Sequence, residues 1–199
     1  MYIVIEGQDG TGKSTQARKL ADYFKAKGKE AIVMDEPDGD LPQAHDLHDM
    51  ILTRGYKLEP LTNVLLFTAA RKELWQKIAE PALKRGAIVI SARNYWSTLA
   101  YQGYGEGISR SKIIRITKEA LPERYYHPDK SFMLTVSDEV RLARQSERGK
   151  KKETFESKPN EFQQRVNAAY PHIAKDFNIE TIDASGTIDE VFNLIINKL

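Results

Sequence analysis

Cysteine is missing from all 199 residues, which removes disulfides, a thiolate nucleophile and thiolate metal sites, and points to a reducing, cytoplasmic compartment. No run of about 18 apolar residues occurs, so no transmembrane helix and no membrane partner are expected. Residues 1–6, MYIVIE, lack the basic region and long apolar stretch of a signal peptide. Charge of one sign is scarce too: 30 basic against 28 acidic residues leave a net charge of +2, without the positive field of a dedicated nucleic-acid binder. There is no internal repeat and no linker, and a hydrophobic content of 41% is enough for one domain over residues 1–199. The strained G-x-S-x-G turn of a serine hydrolase is absent. Histidine is sparse; His45 and His48 lie three apart beside Asp46 and Asp49, but without a third nearby ligand they read as a solvated helix face.

What is present is a regular alternation. Short aliphatic runs at Tyr2–Glu6, Ala31–Met34, Ala87–Ser91, Phe132–Val136 and Ile179–Ile182 suit parallel strands buried on both faces. Amphipathic helical stretches separate them. The first spans Lys13–Lys27, with Leu20, Ala21 and Phe24 on one side and Gly28 as its left-handed stop. The last opens on a capping box, Thr187 to Glu190, and is expected to turn Ile188, Val191, Ile195 and Leu199 inward. Right-handed βαβ crossovers then give an α/β fold, a five-stranded parallel sheet covered by helices on both faces, with ligands at the carboxyl ends of the strands.

Directly after the first run comes Gly7-Gln8-Asp9-Gly10-Thr11-Gly12-Lys13-Ser14, a full G-x-x-x-x-G-K-[ST] phosphate loop leading into the first helix and Thr15. The glycines let backbone N–H groups turn around phosphate oxygens, and the helix N-terminus adds its positive dipole end. Lys13 is placed to bridge the β- and γ-phosphates of ATP, and Ser14 to offer its hydroxyl to Mg²⁺. A P-loop by itself leaves ATPases, GTPases and small-molecule kinases open. Phe67 and Arg71, four apart on a predicted helix, present an aromatic plane beside a guanidinium, which suits a stacked and edge-bonded base.

Taken in order, EGQDGTGKST at Glu6–Thr15, EP at Glu36 and Pro37, LLFTAAR at Leu65–Arg71, ARNYWSTLAYQG at Ala92–Gly103, PD at Pro128 and Asp129, ERG at Glu147–Gly149 and IDAS at Ile182–Ser185 resemble the thymidylate kinase family over nearly the whole chain. The resemblance implies a P-loop NTPase-type fold and phosphorylation of dTMP to dTDP by ATP with Mg²⁺, a step of dTTP biosynthesis, in a homodimer formed through the helix bearing Phe67. It assigns thymine stacking to Phe67, thymine O4 to Arg71, and the acceptor phosphate to Arg93. Ser97, Thr98 and Gln102 fall near the base edge, Tyr101 against the sugar, Asp9 at the 3′-hydroxyl, and Glu36 and Pro37 at the acceptor. ATP is assigned to Gly7, Gly10, Thr11, Gly12, Lys13, Ser14, Thr15, Arg144 and Ser185. In the family the transition-state arginine comes from the phosphate loop or from a lid; with glycine at position 10 the resemblance implies a lid arginine, within about residues 144–158, Arg148 first and Arg144 second.

Three positions depart from the family pattern. Where Asp-Arg is usual the chain has Ala92-Arg93; where many relatives carry arginine it has Asp35; and Thr154 stands where a lid arginine is common. The missing aspartate normally helps organise Mg²⁺, so the metal set reads as Ser14 and Glu36, with Asp35 and Asp38 behind Glu36. Another deoxynucleotide or deoxynucleoside kinase, or a catalytically weakened nucleotide-binding regulator, stays open on these grounds.

Overall fold

The computed structural model describes residues 1–39, 41–147, 154–155 and 157–199. In chain order the elements are β1 (Tyr2–Gly7), α1 (Lys13–Ala26), β2 (Ala31–Asp35), α2 (Pro42–Leu52) and α3 (Pro60–Leu74). A π-helical turn, Trp75–Ala79, carries α3 on into α4 (Glu80–Lys84). Then follow β3 (Ile88–Ala92), α5 (Tyr95–Thr98), a second π-helical segment at Leu99–Gly105, α6 (Arg110–Ala120), α7 (Glu123–Tyr126) and β4 (Lys130–Thr135). The chain closes with α8 (Asp138–Glu147), α9 (Asn160–Asp176), β5 (Glu180–Asp183) and α10 (Ile188–Ile196).

The strands form the expected five-stranded sheet, in the order β2-β3-β1-β4-β5 with every pairing parallel. Because side chains alternate across a strand, β1 to β4 each feed two cores, whereas the edge strand β5, expected to be buried on both faces, buries only Ile182. Tyr2, Val4, Met34, Val89 and Met133 face one side and pack with residues of α2, α3, α5, α6 and α9. Ile3, Ile5, Ile88, Ile90, Ala92, Phe132 and Leu134 face the other, under α1 and α10. A fully buried aliphatic or aromatic side chain contributes about 1.5–3 kcal/mol, so this double burial is what holds the sheet between its helices.

Boundaries moved where pairing overrode composition. β3 runs one residue later than the hydrophobic run suggests and ends on Ala92, held opposite Asp35 on β2 and Ile5 on β1. α1 ends at Ala26, with Gly28 at φ 72° as the left-handed stop. The α10 capping box is present, and Val191 and Ile195 are buried. Ile188 and Leu199 were expected inward, but they lie beyond the stripe that reaches the sheet and are exposed.

Candidate active site

The sheet order sets the carboxyl ends of β2, β3 and β1 side by side, so the segments that follow these strands meet at one edge. After β1 the phosphate loop turns sharply. Gly7, at φ 146°, lies so close to β4 that an added Cβ would fall 2.4 Å from the Leu134 carbonyl oxygen. Gly10 and Gly12 both have φ 91°, a left-handed conformation that glycine adopts freely, and Gly12 begins α1. Lys13 is buried and donates to the Gln8 carbonyl at 2.7 Å, with Asp9 3.7 Å away.

After β3, Arg93 has φ 87°, which a side-chain-bearing residue keeps only when its surroundings demand it. Its guanidinium donates to Asp9, and the Tyr101 hydroxyl donates to the other Asp9 oxygen. Burial by itself raises the pKa of Asp9, but Arg93 and Lys13, together with these hydrogen bonds, hold its carboxyl well below the usual carboxylate range. Burial opposes the charge on Arg93; Asp9 outweighs it, so Arg93 stays a cation. Its Nη1 is buried without a hydrogen-bond partner among the described residues.

Beside this pair lies a polar cavity of about 320 Å³. Its walls bring together Asp9, Arg93 and Ser14, then Glu36 and Pro37 from beyond β2, Phe67 and Arg71 from α3, and Ser97, Thr98, Tyr101 and Gln102 from α5 and the π-helical segment. Arg71 is locked in place. Its Nε donates to Glu36 at 2.9 Å, Nη1 to the Thr98 hydroxyl at 2.8 Å and Nη2 to the Asn94 carbonyl at 3.2 Å, and its guanidinium lies 5.8 Å from the Phe67 ring centre. Ser97 donates to Glu6 at 2.9 Å, and Gln102 to Glu106 at 3.2 Å. The π-helical turn bears on this, because its wider winding sets the angle between Thr98 and the Tyr101–Gln102 pair.

A second cavity, about 380 Å³, is lined by Gly10, Thr11, Gly12 and Thr15 on one side and by Arg144, Gly186 and Thr187 on the other. Arg144 donates to the carbonyls of Ala184, Ser185 and Gly186 at 2.9, 3.4 and 3.1 Å, so it braces the loop between β5 and α10 that carries Ser185. Arg148 lies outside the described residues, as do Lys150–Lys152.

The expected metal set needs correction. Glu36 lines the same cavity as Ser14 but does not contact it: lying one residue past β2, its carboxylate accepts from Arg71, from Tyr125 at 2.7 Å and from Ser91 at 3.0 Å. Burial pushes its pKa up to about 6 even though Arg71 and these two hydroxyls favour the ionised form. The acid beside Ser14 is Asp35, whose Oδ1 accepts from the Ser14 hydroxyl at 2.7 Å. The histidine pair also has the third group that its sequence neighbourhood lacks. Asp38 accepts from His45 Nδ1 at 2.6 Å, and one ligand atom from each of Asp38, His45 and His48 falls within a 4.8 Å cluster at the cavity rim.

Some contributors were not foreseen. Glu6, fully buried, accepts from the Gly7 and Asn94 amides at 3.0 Å as well as from Ser97, tying the phosphate loop to the β3–α5 turn. A carboxylate closing an otherwise apolar run was the available signal. Phe155 packs on both Phe67 and Tyr101, with ring centres 6.1 and 5.8 Å apart, and lines the first cavity. Nothing local in the sequence marks it or Tyr125.

A phosphate loop between the central strand and α1, a polar cavity holding Arg71 and Arg93 at the adjacent strand ends and a second cavity beside the loop define a P-loop phosphotransferase of the kinase type. The family profile described as thymidylate kinase matches residues 5–195, and the chain belongs to the thymidylate kinase family. A thymidylate kinase from Chlorobaculum parvum is 36% identical over 209 aligned residues, covering 100% of this chain and 95% of that protein. One from Mesoplasma florum is 36% identical over 195 residues, covering 96% and 91%. The crystal structure of thymidylate kinase from Ehrlichia chaffeensis is similar with a TM-score of 0.78 at 29% identity, covering 100% of this chain and 97% of that one.

Proposed function

We propose that this chain transfers the γ-phosphoryl group of ATP to dTMP, giving ADP and dTDP. The observation that carries the reading is Arg93 in the wall of the cavity that also holds Phe67 and Arg71, with its buried Nη1 unpartnered among the described residues. A guanidinium there suits a phosphate, and an aromatic ring beside a fixed arginine suits the base attached to it. Arg71 as a donor favours the thymine O4 over the amino group of cytosine, which would leave the arginine unpaired. Tyr101, held by Asp9, stands against the sugar, and Ser97, Thr98 and Gln102 lie at the base edge.

The attacking oxygen belongs to a phosphate already anionic near neutral pH, so no general base is needed. Catalysis reduces to alignment and charge neutralisation. Lys13, now folded onto the Gln8 carbonyl, is the group that swings to the β- and γ-phosphates, with the loop amides of Gly7–Thr15 around them. Arg93 clamps the acceptor, Arg148 serves as the lid arginine, and the lid at about residues 144–158 excludes water. Mg²⁺, when bound, would supply positive charge to offset that of the phosphates. The oxygens of Ser14 and Asp35, 2.7 Å apart in the same cavity wall, are the hard donors that suit it.

An ADP-release assay across dTMP, dUMP, dCMP and thymidine tests the proposal. Turnover is expected to be fastest with dTMP; preference for thymidine would overturn the acceptor assignment, and no turnover with any acceptor would overturn the enzyme reading. Arg93→Ala should lower transfer at least 100-fold while leaving ATP affinity within about threefold. We also place the enzyme in the cytoplasm as a homodimer. Leu65 on α3, half exposed, supports that helix as the dimer face, and no helix among the described residues is long and apolar enough to cross a membrane.

A further inference from the structure

We infer that Asp35 takes over the metal-organising work of the aspartate that position 92 lacks, the carboxylate having moved one strand sideways in the sheet. Asp35 and Ala92 are register partners on the parallel strands β2 and β3. In-register residues of neighbouring strands point to the same face. Ala31, Ile88, Ile90 and Ala92 all pack in the core under α1, and Val33 leans on it, so positions 35 and 92 share the face from which Ser14 rises at the start of α1. An acidic side chain at either position therefore approaches the Ser14 hydroxyl, from one strand or from the next.

Asp35 makes that approach. Its Oδ1 accepts from Ser14 at 2.7 Å, and its Oδ2 accepts from Arg18 at 3.1 Å, which fixes the plane of the carboxylate. Both Ser14 and Asp35 reach the cavity wall. By accepting the hydrogen bond of the Ser14 hydroxyl, Asp35 would leave the Oγ lone pairs available to a divalent cation held with the nucleotide. It also offers an acceptor to that cation's water shell, since Mg²⁺ keeps several of its waters. Glu36 cannot do this, because its carboxylate is taken by Arg71, Ser91 and Tyr125. Asp35 is thus a positioning residue.

The inference rests on the kinase reading, and the test separates the two. ATP binding is measured by calorimetry with and without Mg²⁺, in the absence of acceptor, for wild type, Asp35→Asn, and Asp35→Asn combined with Ala92→Asp. Mg²⁺ affinity of the ATP complex is expected to fall about 10- to 100-fold in Asp35→Asn. Metal-free ATP should bind that variant at least as tightly as wild type, because a negative charge facing the phosphates has gone. A merely structural lesion would weaken both measurements alike, and that result overturns the inference. Unchanged Mg²⁺ dependence also overturns it, even while wild-type turnover of dTMP stands. Ala92→Asp in the Asp35→Asn background should recover most of the lost Mg²⁺ affinity; no recovery would refute the equivalence of the two positions. Should Asp35→Asn fold poorly, Asp35→Ser reads the same quantities.

Discussion

Arg93 and Glu36 are two residues whose environments are set against their ordinary preferences. Arg93 has a left-handed backbone at φ 87°. That conformation costs a side-chain-bearing residue about 1–2 kcal/mol, which is tolerated because its guanidinium must reach Asp9 and the open cavity. Arg93→Gly and Arg93→Ala both remove the side chain, so their difference reports the backbone. The glycine variant is expected to be more stable by about 1 kcal/mol in denaturant unfolding, with transfer lost equally in both. Glu36 shows the pH counterpart. Its folded pKa of about 6 lies above its ordinary 4.5, so between these values the folded state holds more protons than the unfolded one and stability falls as pH rises. Relative to Glu36→Gln, wild type should lose about 2 kcal/mol across that window in unfolding titrations. Asp9 has the opposite sign: its folded pKa is lowered, so its contribution is present above the ordinary 3.8 and is lost only in stronger acid. Phe67, Arg71 and Arg93 were legible as residues because aromatic and guanidinium groups declare their chemistry. Glu36 was not separable from Asp35 in the sequence because adjacent acids look alike until tertiary partners claim them, Ser14 and Arg18 for Asp35 and Arg71, Tyr125 and Ser91 for Glu36.

Among the elements, the phosphate loop was readable to the residue, since its glycines and lysine are required by local geometry alone. Gly7 adds a tertiary reason. A methyl group there meets the Leu134 carbonyl at 2.4 Å, across the β1–β4 pairing of Gly7 with Leu134. Gly7→Ala should therefore destabilise by at least about 1–3 kcal/mol in chemical denaturation and weaken ATP binding with it. The α10 capping box is a local device in the same sense. Thr187→Ala removes the acceptor for the Glu190 amide and should cost about 1 kcal/mol, seen as a lower melting temperature. The π-helical segments at Trp75–Ala79 and Leu99–Gly105 had no such signature. Their winding is decided by packing: at Gly105 even a Cβ would fall 2.4 Å from Phe162 of α9.

At the scale of the whole molecule, the two cavities lie on either side of the phosphate loop, with Ser14 lining one and Gly10–Gly12 the other. Ligands in separate cavities stabilise independently, so saturating ADP and dTMP at about 100 times their dissociation constants should each add about 2.7 kcal/mol, nearly additively, in ligand-dependent melts. A shift with only one of the two nucleotides would disprove the two-cavity arrangement. The sequence by itself determined the five strands, the phosphate loop and the ordered motifs, because alternation, glycine spacing and β-branched runs act over a few residues. Only the tertiary structure decided what crosses between strands: that Asp35 rather than Glu36 meets Ser14, that Glu6 ties the loop to the β3–α5 turn, and that Phe155 covers Phe67. Those contacts join residues far apart in the chain, and which of them form depends on strand order and register.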